Sequence, residues 1–245
     1  MKQFTINPDQ YDLPISIILP TRNRISTSGD GGLIAALESL YINTINKENT
    51  EIILRIDDDD VNTLNNIHLL DKYDKAFKMK LLKGSRYGGY VDIWKFWNEL
   101  AEEAVGEFLV PFSDDTIMET YGWDKILMEH SGKIGFVKSS YTESISPDIN
   151  MVIPCIHSKI IELQGYMSFH EAMDKHHDLF VEYAKEKGYN FIIEDDRITF
   201  RHIGLQGEHV KDGLPPTDVG GIFRYRDKIE SDVQRVINAL EVANT

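Results

Sequence analysis

The chain has 245 residues, of which 42% are hydrophobic and one is cysteine, so it can bury a large core but can build neither an intramolecular disulfide nor a cysteine-based zinc site. Its 26 basic and 40 acidic residues give a formal net charge of −14, which disfavours nucleic acid and anionic membrane surfaces as partners. No apolar stretch approaches the ~20 residues of a transmembrane segment, and the first residues lack the apolar core of a secretory signal, so we expect a cytoplasmic protein.

The first quarter of the chain predicts a strand, a helix and a second strand. Ile15 to Leu19 is a short, mostly β-branched apolar run, which is typical of a strand buried on both faces. Apolar residues then recur at helical spacing between Gly31 and Tyr41, and Glu51 to Ile56 repeats the pattern of a buried strand. These elements predict a right-handed βαβ unit in a parallel sheet.

Two of the predicted strands end in carboxylates. The strand that ends at Ile56 runs into Asp57 to Asp60, and a later strand, Glu107 to Pro111, runs into Asp114 and Asp115. Open α/β sheets bind ligands at the carboxyl ends of their strands. Unpaired carboxylates repel each other there, whereas Mg²⁺ or Mn²⁺ needs only one or two of them beside substrate phosphate and water. The pattern therefore predicts a metal site that acts on a phosphate-bearing substrate.

Helix capping is the alternative explanation of both acidic runs. Asp60 or Asn62 could be the N-cap of a helix that begins at Thr63, and we accept a solvated turn for Asp59 and Asp60. Asp114 and Asp115 could likewise cap a helix that begins at Thr116. A cap needs only one carboxylate, so two carboxylates after a buried strand favour a functional site.

The remaining elements complete one α/β domain over residues 1–225, with a C-terminal helix over residues 226–245 packed on it. A glycine-containing loop that carries Arg86 follows the third strand. We predict a strand pair joined by a turn at Ser146-Pro147-Asp148, and a loop from Gly204 to Gly221. The other predicted helices and strands are strand Lys78–Leu82, helix Val91–Ala104, strands Ile134–Ser139 and Met151–Cys155, helix Asp178–Lys187, strands Phe191–Ile193 and Ile198–Arg201, and helix Asp227–Val242.

In order and spacing, the segments ISIILPTRNR, ILRIDDDD and FSDDT resemble family 2-type glycosyltransferases of the GT-A fold, over roughly Ile15 to Ile203. Gly122-Trp123-Asp124, which follows the second acidic motif, resembles a branch often seen in viruses and bacteria. The resemblance implies a Rossmann-like, mixed but mostly parallel sheet flanked by helices. It also implies metal-dependent transfer of a sugar, with inversion, from a nucleotide diphosphate sugar such as a UDP-sugar to a glycan or other hydroxyl acceptor.

The same resemblance implies roles for residues at the ligand edge. Pro20, Thr21 and Arg22 would line the pocket for the nucleotide base, and Asp57 would contact the base or the ribose. Asp114 and Asp115 would bind the metal and the donor in place of the usual DXD motif. The sequence departs from the family pattern at Phe112, where an acid is usual.

Further roles fall on residues outside those motifs. His202 would be a third metal ligand, with a structural histidine as the equal alternative. Arg86 could pair with a phosphate. The segment MDKHHDL offers Asp178, and after it Asp174, as the base that deprotonates the acceptor. We expect His176 and His177 of that segment at a solvated helix start.

Two other functions remain open. A sugar-nucleotide nucleotidyltransferase would use a similar sheet and metal, but TRNRISTSGDGG has only part of the glycine-rich, basic loop that holds a triphosphate. An inactive carbohydrate- or nucleotide-binding relative would bind a donor without turnover, and Phe112 favours that interpretation.

Overall fold

The central element of the protein is a twisted sheet of eight strands. The structure is a computed structural model that describes residues 1–22, 24–25, 32–141, 154–203 and 219–243. The strand order of the sheet is β4-β3-β2-β5-β9-β8-β10-β6, and β1 and β7 form a separate pair. The strands are β1 (Phe4–Thr5), β2 (Leu13–Thr21), β3 (Thr50–Asp57), β4 (Lys78–Gly84), β5 (Gly106–Pro111), β6 (Thr116–Met118), β7 (Lys133–Ile134), β8 (Phe136–Tyr141), β9 (Cys155–His157) and β10 (Ile192–His202).

Helices flank this sheet and follow its strands. The α-helices are α1 (Leu33–Asn43), α2 (Val61–Asn65), α3 (Asp71–Asp74), α4 (Ile93–Glu102), α5 (Trp123–Met128), α6 (Ser158–Gln164), α7 (Met173–Glu186) and α8 (Arg226–Ala243). Short 3-10 helices span Pro8–Gln10, Lys47–Asn49, Ile67–Leu70, Gly89–Asp92 and Val219–Tyr225. No helix in these described ranges is both long and apolar enough to cross a membrane.

Strands β4, β3, β2 and β5 are parallel neighbours, so their carboxyl ends lie at one edge of the sheet. Strand β2 has β3 on one side and β5 on the other. Beyond β5 the pairing alternates, because β9 is antiparallel to β5 and β8, whereas β10 is parallel to β8 and antiparallel to β6. The sequence-predicted fold class, a mixed and mostly parallel sheet with a C-terminal helix, is confirmed.

The buried strands divide the apolar core into two layers. Ile17 and Leu19 of β2 pack with Leu37 and Leu40 of α1, while Ile18 between them packs with Leu100 of α4 on the other side. Successive side chains of a strand point to opposite faces, so each face of the sheet has its own core. Helix α8 contributes to the second of these layers through Ile229, Val233, Val236, Ile237 and Leu240.

Two predictions about the carboxyl-terminal elements are wrong. The predicted strands Phe191–Ile193 and Ile198–Arg201 form one strand, β10. Its polar centre carries a register shift but remains within the strand. There Asp195 is buried, accepts a hydrogen bond from His130 over 2.7 Å and pairs with Arg197. Helix α7 begins at Met173 rather than at Asp178, since its first turn packs into the core.

Other predictions fall partly outside the described residues. The antiparallel pairing of β8 with β9 agrees with the predicted strand pair, but the turn at Ser146-Pro147-Asp148 lies outside the described ranges. The same holds for residues 204–218 of the predicted loop, which ends in the 3-10 helix Val219–Tyr225. The domain boundary at residue 225 stays a prediction.

Candidate active site

The sequence-predicted carboxylates gather where β2, β3 and β5 end. Asp57 is the last residue of β3, and Asp114 and Asp115 follow β5 by three and four residues. Strand β2 lies between these two strands and ends at Thr21. The chain continues from β2 through α1 to β3 on one side, and β5 lies on the other side. Open α/β sheets bind ligands outside the carboxyl ends of strands at such a switch point.

The Asp114–Asp115 carboxylate pair is buried and fixed by hydroxyl groups. Asp114 is 7% exposed and Asp115 is 5% exposed. The Thr21 hydroxyl donates to Asp114 Oδ2 over 2.6 Å, and the Ser113 hydroxyl donates to Asp115. The capping alternative is wrong for this pair, because Thr116 begins strand β6 and not a helix.

Two basic side chains contact this pair. Arg24 Nη1 lies 2.9 Å from Asp114 Oδ1 and 3.1 Å from Asp115 Oδ2. His202 Nε2 lies 3.2 Å from Asp115 Oδ2, and the Ile203 amide donates to the Asp115 carbonyl over 2.8 Å. The structure thus places His202 beside the two carboxylates that the family resemblance groups with it as metal ligands.

The environment shifts the pKa values of the two carboxyl groups in opposite directions. Burial raises the pKa of Asp114, and the charge of Arg24 with the hydroxyl of Thr21 offsets this only in part. Burial also opposes ionisation of Asp115, but the hydrogen bonds from His202 and Ser113 outweigh it and lower the pKa of Asp115. The site therefore favours the ionised form of Asp115 more strongly than that of Asp114.

Asp57 is held by two arginines, and one of them is a residue that sequence reasoning missed. Arg55 is 1% exposed and donates to Asp57, while Arg22 Nη1 lies 2.8 Å from Asp57 Oδ2. Arg55 also donates through Nε to Glu99 over 2.9 Å and lies over the Phe96 ring, 3.8 Å from its centre. The sequence contains a sign that Arg55 has a special position, because it is a charged residue within the otherwise apolar run of ILRID.

Asp59 and Asp60, which follow Asp57 in the first acidic run, lie at the surface and at the start of a helix, respectively. Asp60 is the N-cap of α2, which begins at Val61, and it accepts a hydrogen bond from the Thr63 amide over 3.1 Å. Asp59 is exposed and binds Arg22. The hydrogen bond from Arg22, and to a smaller extent the charge of Arg86, lowers the pKa of Asp59. Arg86 therefore lies close enough to act on this edge.

Phe112, which stands where the family pattern has an acid, is part of the apolar core. Phe112 is fully buried, and its ring packs edge-on against Phe200 of β10, with the ring centres 5.9 Å apart. The position offers no group to the ligand edge, so the carboxylates of this site are those of Asp57, Asp114 and Asp115.

Gly122-Trp123-Asp124 has a structural role. Gly122 has a φ of 75°, which favours glycine, and precedes α5. The Trp123 indole donates to the Thr44 hydroxyl over 2.9 Å, and buried Asp124 accepts from the backbone amides of residues 45 and 46. This motif fixes the connection between α1 and β3.

The predicted catalytic bases lie on a separate element. Asp174 and Asp178 belong to α7, which packs against α8 and the 3-10 helix Val219–Tyr225. Asp178 is 7% exposed, and Lys175 Nζ is 3.9 Å from its carboxylate. The structure therefore groups the predicted metal and nucleotide residues, and it holds the predicted bases on a helix rather than at a strand end.

The expected solvated start of α7 is wrong, because His176 is fully buried and His177 is 1% exposed. His177 Nε2 donates to the Met167 carbonyl over 3.1 Å, and His176 lies against the rings of Phe169 and Tyr166. Burial lowers the pKa of both histidines, to about 4 for His177. At neutral pH both are uncharged parts of the core.

The carboxylate pair fits an open metal site rather than a closed one. Among the described residues, no group of three or more His, Cys, Asp or Glu side chains is arranged to hold an ion. Asp114 and Asp115 nevertheless supply two hard oxygen donors at one point. Mg²⁺ and Mn²⁺ are commonly held by one or two carboxylates, with substrate phosphate and water completing the shell. The donor set therefore fits an ion that binds together with a phosphate ligand.

Comparisons with known proteins show the fold. No protein-family model and no curated protein sequence matches the chain. Among solved structures, S. aureus TarS 1-349 in complex with UDP-GlcNAc has a TM-score of 0.65 at 14% identity, covering 93% of this chain and 71% of that one. The same fragment in complex with UDP has a TM-score of 0.57 at 14% identity over 77% of this chain, which spans 60% of that fragment.

A third similar structure is that of a mannosyltransferase. Mannosyltransferase PcManGT from Pyrobaculum calidifontis, in complex with GDP-Man and Mn²⁺, has a TM-score of 0.55 at 12% identity and covers 100% of this chain and 80% of that one. Together these structures show that the chain has a GT-A-like glycosyltransferase fold.

Proposed function

We propose that the protein transfers a sugar from a nucleotide diphosphate sugar to an acceptor hydroxyl with the help of Mn²⁺ or Mg²⁺. The observation that carries this proposal is the position of Asp57 and the Asp114–Asp115 pair at one ligand-binding edge of a glycosyltransferase fold. Solved structures of similar fold hold UDP, UDP-GlcNAc and GDP-Man, which supports a nucleotide sugar as the donor.

The donor would lie across the ends of β2, β3 and β5. Pro20, Thr21 and Arg22 border the base pocket, and Asp57 accepts a hydrogen bond from the base or ribose. Arg55 and Arg22 orient the Asp57 carboxylate for this contact. Arg86, which follows β4, adds a positive charge on the phosphate side.

The chemistry would occur beside Asp114 and Asp115. Asp115, whose pKa is lowered, and Asp114 hold the metal ion, with His202 adjoining them as the third predicted ligand. When bound, the ion neutralises negative charge that develops on the departing diphosphate. An inverting transfer forms a bond from the acceptor oxygen to the anomeric carbon, breaks the bond from that carbon to the diphosphate, and leaves the acceptor proton on Asp178.

Binding and turnover can be tested separately. We expect UDP or GDP together with Mn²⁺ to raise the melting temperature by about 5 to 10 °C at a hundredfold excess over Kd, and chelator to remove this effect. Slow hydrolysis of the matching nucleotide sugar should then release the nucleoside diphosphate. The Asp115→Asn variant should fold and show neither response.

The outcome also discriminates between the alternatives. Metal-dependent donor binding without hydrolysis or transfer would identify an inactive relative. Formation of a sugar nucleotide from a nucleoside triphosphate and a sugar phosphate would identify a nucleotidyltransferase. The absence of any metal-dependent nucleotide binding would refute the proposed function.

A further inference from the structure

Arg24 places one guanidinium nitrogen between the two carboxylates of the Asp114–Asp115 pair. Nη1 is 2.9 Å from one carboxylate and 3.1 Å from the other. Counting side-chain atoms alone, Arg24 is 19% exposed, Asp114 9% and Asp115 7%. An arginine is charged at every physiological pH, so this nitrogen is a permanent cation at the point where the two anions meet.

The buried pair needs such a cation. The hydroxyls of Thr21 and Ser113 donate hydrogen bonds but carry no charge. His202 Nε2 lies 3.2 Å from Asp115 Oδ2 and its side chain is 38% exposed, whereas the less exposed Arg24 contacts both carboxylates. Two neighbouring carboxylates repel each other when neither water nor a counterion screens them. Arg24 therefore keeps the pair assembled when no metal ion is bound.

A metal ion held by Asp114 and Asp115 would compete with Arg24 for their carboxylates. Mg²⁺ takes carboxylate oxygens at about 2 Å, and Arg24 Nη1 already contacts an oxygen of each side chain. The like charges of the ion and the guanidinium also repel each other at that distance. Metal binding therefore favours release of Arg24 from the carboxylates.

The displaced guanidinium would lie next to the anion that accompanies the metal. In the proposed function this anion is a diphosphate, and the planar fork of arginine binds phosphate oxygens through paired hydrogen bonds. We propose that the Arg24 guanidinium binds the Asp114–Asp115 pair when the site holds no metal. When the metal binds, the guanidinium leaves the pair and binds the donor diphosphate instead. This inference rests on the proposed function and adds that metal and diphosphate enter the site together.

The chain offers a matched control in Arg22. It leaves the same end of β2 two residues earlier, but it binds Asp57 and Asp59 instead of the pair. A general loss of positive charge at this edge would affect metal binding similarly in Arg22→Ala and Arg24→Ala. Competition for the same oxygens would affect only Arg24→Ala.

The test titrates Mn²⁺ alone and follows the free ion by electron paramagnetic resonance. We expect Arg24→Ala to bind Mn²⁺ roughly tenfold or more tightly than wild type, because a competing positive charge is gone. Arg24→Lys, which keeps the charge, and Arg22→Ala should stay near wild type. With saturating Mn²⁺, calorimetry should show UDP or GDP binding to Arg24→Ala weakened by roughly tenfold, and to Arg24→Lys by less.

Thermal unfolding gives a second readout. In chelator, Arg24→Ala should melt below wild type, and Mn²⁺ should raise its melting temperature more than that of wild type. If the alanine variant does not fold, Arg24→Gln removes the charge while keeping most of the side chain, and the same comparison applies.

Unchanged or weaker Mn²⁺ binding by the neutral Arg24 variants, in a protein that still binds Mn²⁺ with nucleotide, overturns the role of Arg24 and leaves the proposed function standing. If neither wild type nor any variant binds Mn²⁺ or nucleotide, the proposed function and this inference fall together.

Discussion

The amino-terminal and carboxyl-terminal halves of the described chain hold their candidate functional residues in different ways. In the first half, Asp57 ends a parallel strand and Asp114 follows one. Side chains at the end of neighbouring strand β2 bind them, Arg22 to Asp57 over 2.8 Å and Thr21 to Asp114 over 2.6 Å. In the second half, Asp178 is inside a helix, and its described ion pair is to Lys175 one turn away, at 3.9 Å. Sheet register positions the first group, whereas packing between helices positions the second.

This difference separates binding from base catalysis in the proposed mechanism. In that proposal the strand-end carboxylates would hold the donor and the metal, and the helix would supply the acceptor-side base. Substitutions in the first half should therefore affect donor binding, and substitutions at Asp178 should not. The following measurements test that division, starting with the largest expected effect.

Asp115→Asn should lower turnover to about a thousandth of wild type or less. Metal assistance is worth several kcal/mol at the transition state, and each 1.36 kcal/mol is a factor of ten in rate. Release of nucleoside diphosphate in the presence of Mn²⁺ measures the loss. Asp58→Asn is the matched control, since Asp58 is an exposed residue of the other acidic run. Similar losses in both variants would contradict a specific role for Asp115.

Asp178→Asn should lower turnover by roughly 10²- to 10⁴-fold, because general-base assistance is worth that much. Metal-dependent nucleotide affinity, measured by calorimetry, should stay at the wild-type value. Asp174→Asn decides between the two candidates on α7. If both variants keep full activity, the base lies elsewhere or the anomeric configuration is retained, and NMR of the product distinguishes these outcomes.

Asp57→Ala should weaken nucleotide binding by about 1 to 3 kcal/mol, the cost of losing a hydrogen bond to a charged group. The change also leaves the buried Arg55 without one of its partners, so the free energy of unfolding must be measured alongside the calorimetric affinity. Asp58→Ala is the control for the loss of one negative charge. An affinity equal to wild type would remove Asp57 from the nucleotide site.

The last measurement concerns the pH dependence of stability that the two buried histidines of α7 predict. Burial lowers the pKa of His177 to about 4 and that of His176 well below 6.5. Below pH 6.5 the unfolded chain binds protons that the folded chain does not. The free energy of unfolding should thus fall as pH decreases from 6.5 toward 4, by at most about 1.4 kcal/mol per pH unit for each histidine.

Urea unfolding at pH 7.5, 6.5, 5.5 and 5.0 measures this slope. His176 is the residue to substitute, because neither of its ring nitrogens has a hydrogen-bond partner among the described residues. His170 and Lys228 also act on it electrostatically, both opposing its protonation. His176→Phe should therefore keep the ring contacts and reduce the slope, and an unchanged slope would assign the pH dependence to other groups.

The sequence was sufficient to predict the first half closely. Apolar runs such as Ile15 to Leu19 can be satisfied only by strands buried on both faces, and strands of a parallel sheet share an orientation, so their acidic ends must meet. The structure places Asp57, Asp114 and Asp115 accordingly. Their roles in binding stay predictions.

The second half was harder to predict because its local patterns are ambiguous. Asp195 and Asp196 fall between two predicted strands, and a partner distant in sequence, His130, binds Asp195 in the continuous strand β10. His176 and His177 suggested a solvated helix start, but long-range packing buries them as neutral rings. Arg24 lies in the segment ISIILPTRNR, but no sequence pattern indicates that it would bridge two carboxylates.

The two ends of strand β10 differ in how strictly their pairing register is fixed. Five positions separate Glu194 from Thr199, whereas their partners Lys138 and Ser140 are two apart, so extra residues already bulge out there. On the other edge His202 pairs with Thr116 in an unbroken register. Insertions and deletions should therefore accumulate between residues 194 and 199 as the protein diverges, because one residue gained after 199 would turn His202 to the opposite face, away from Asp115.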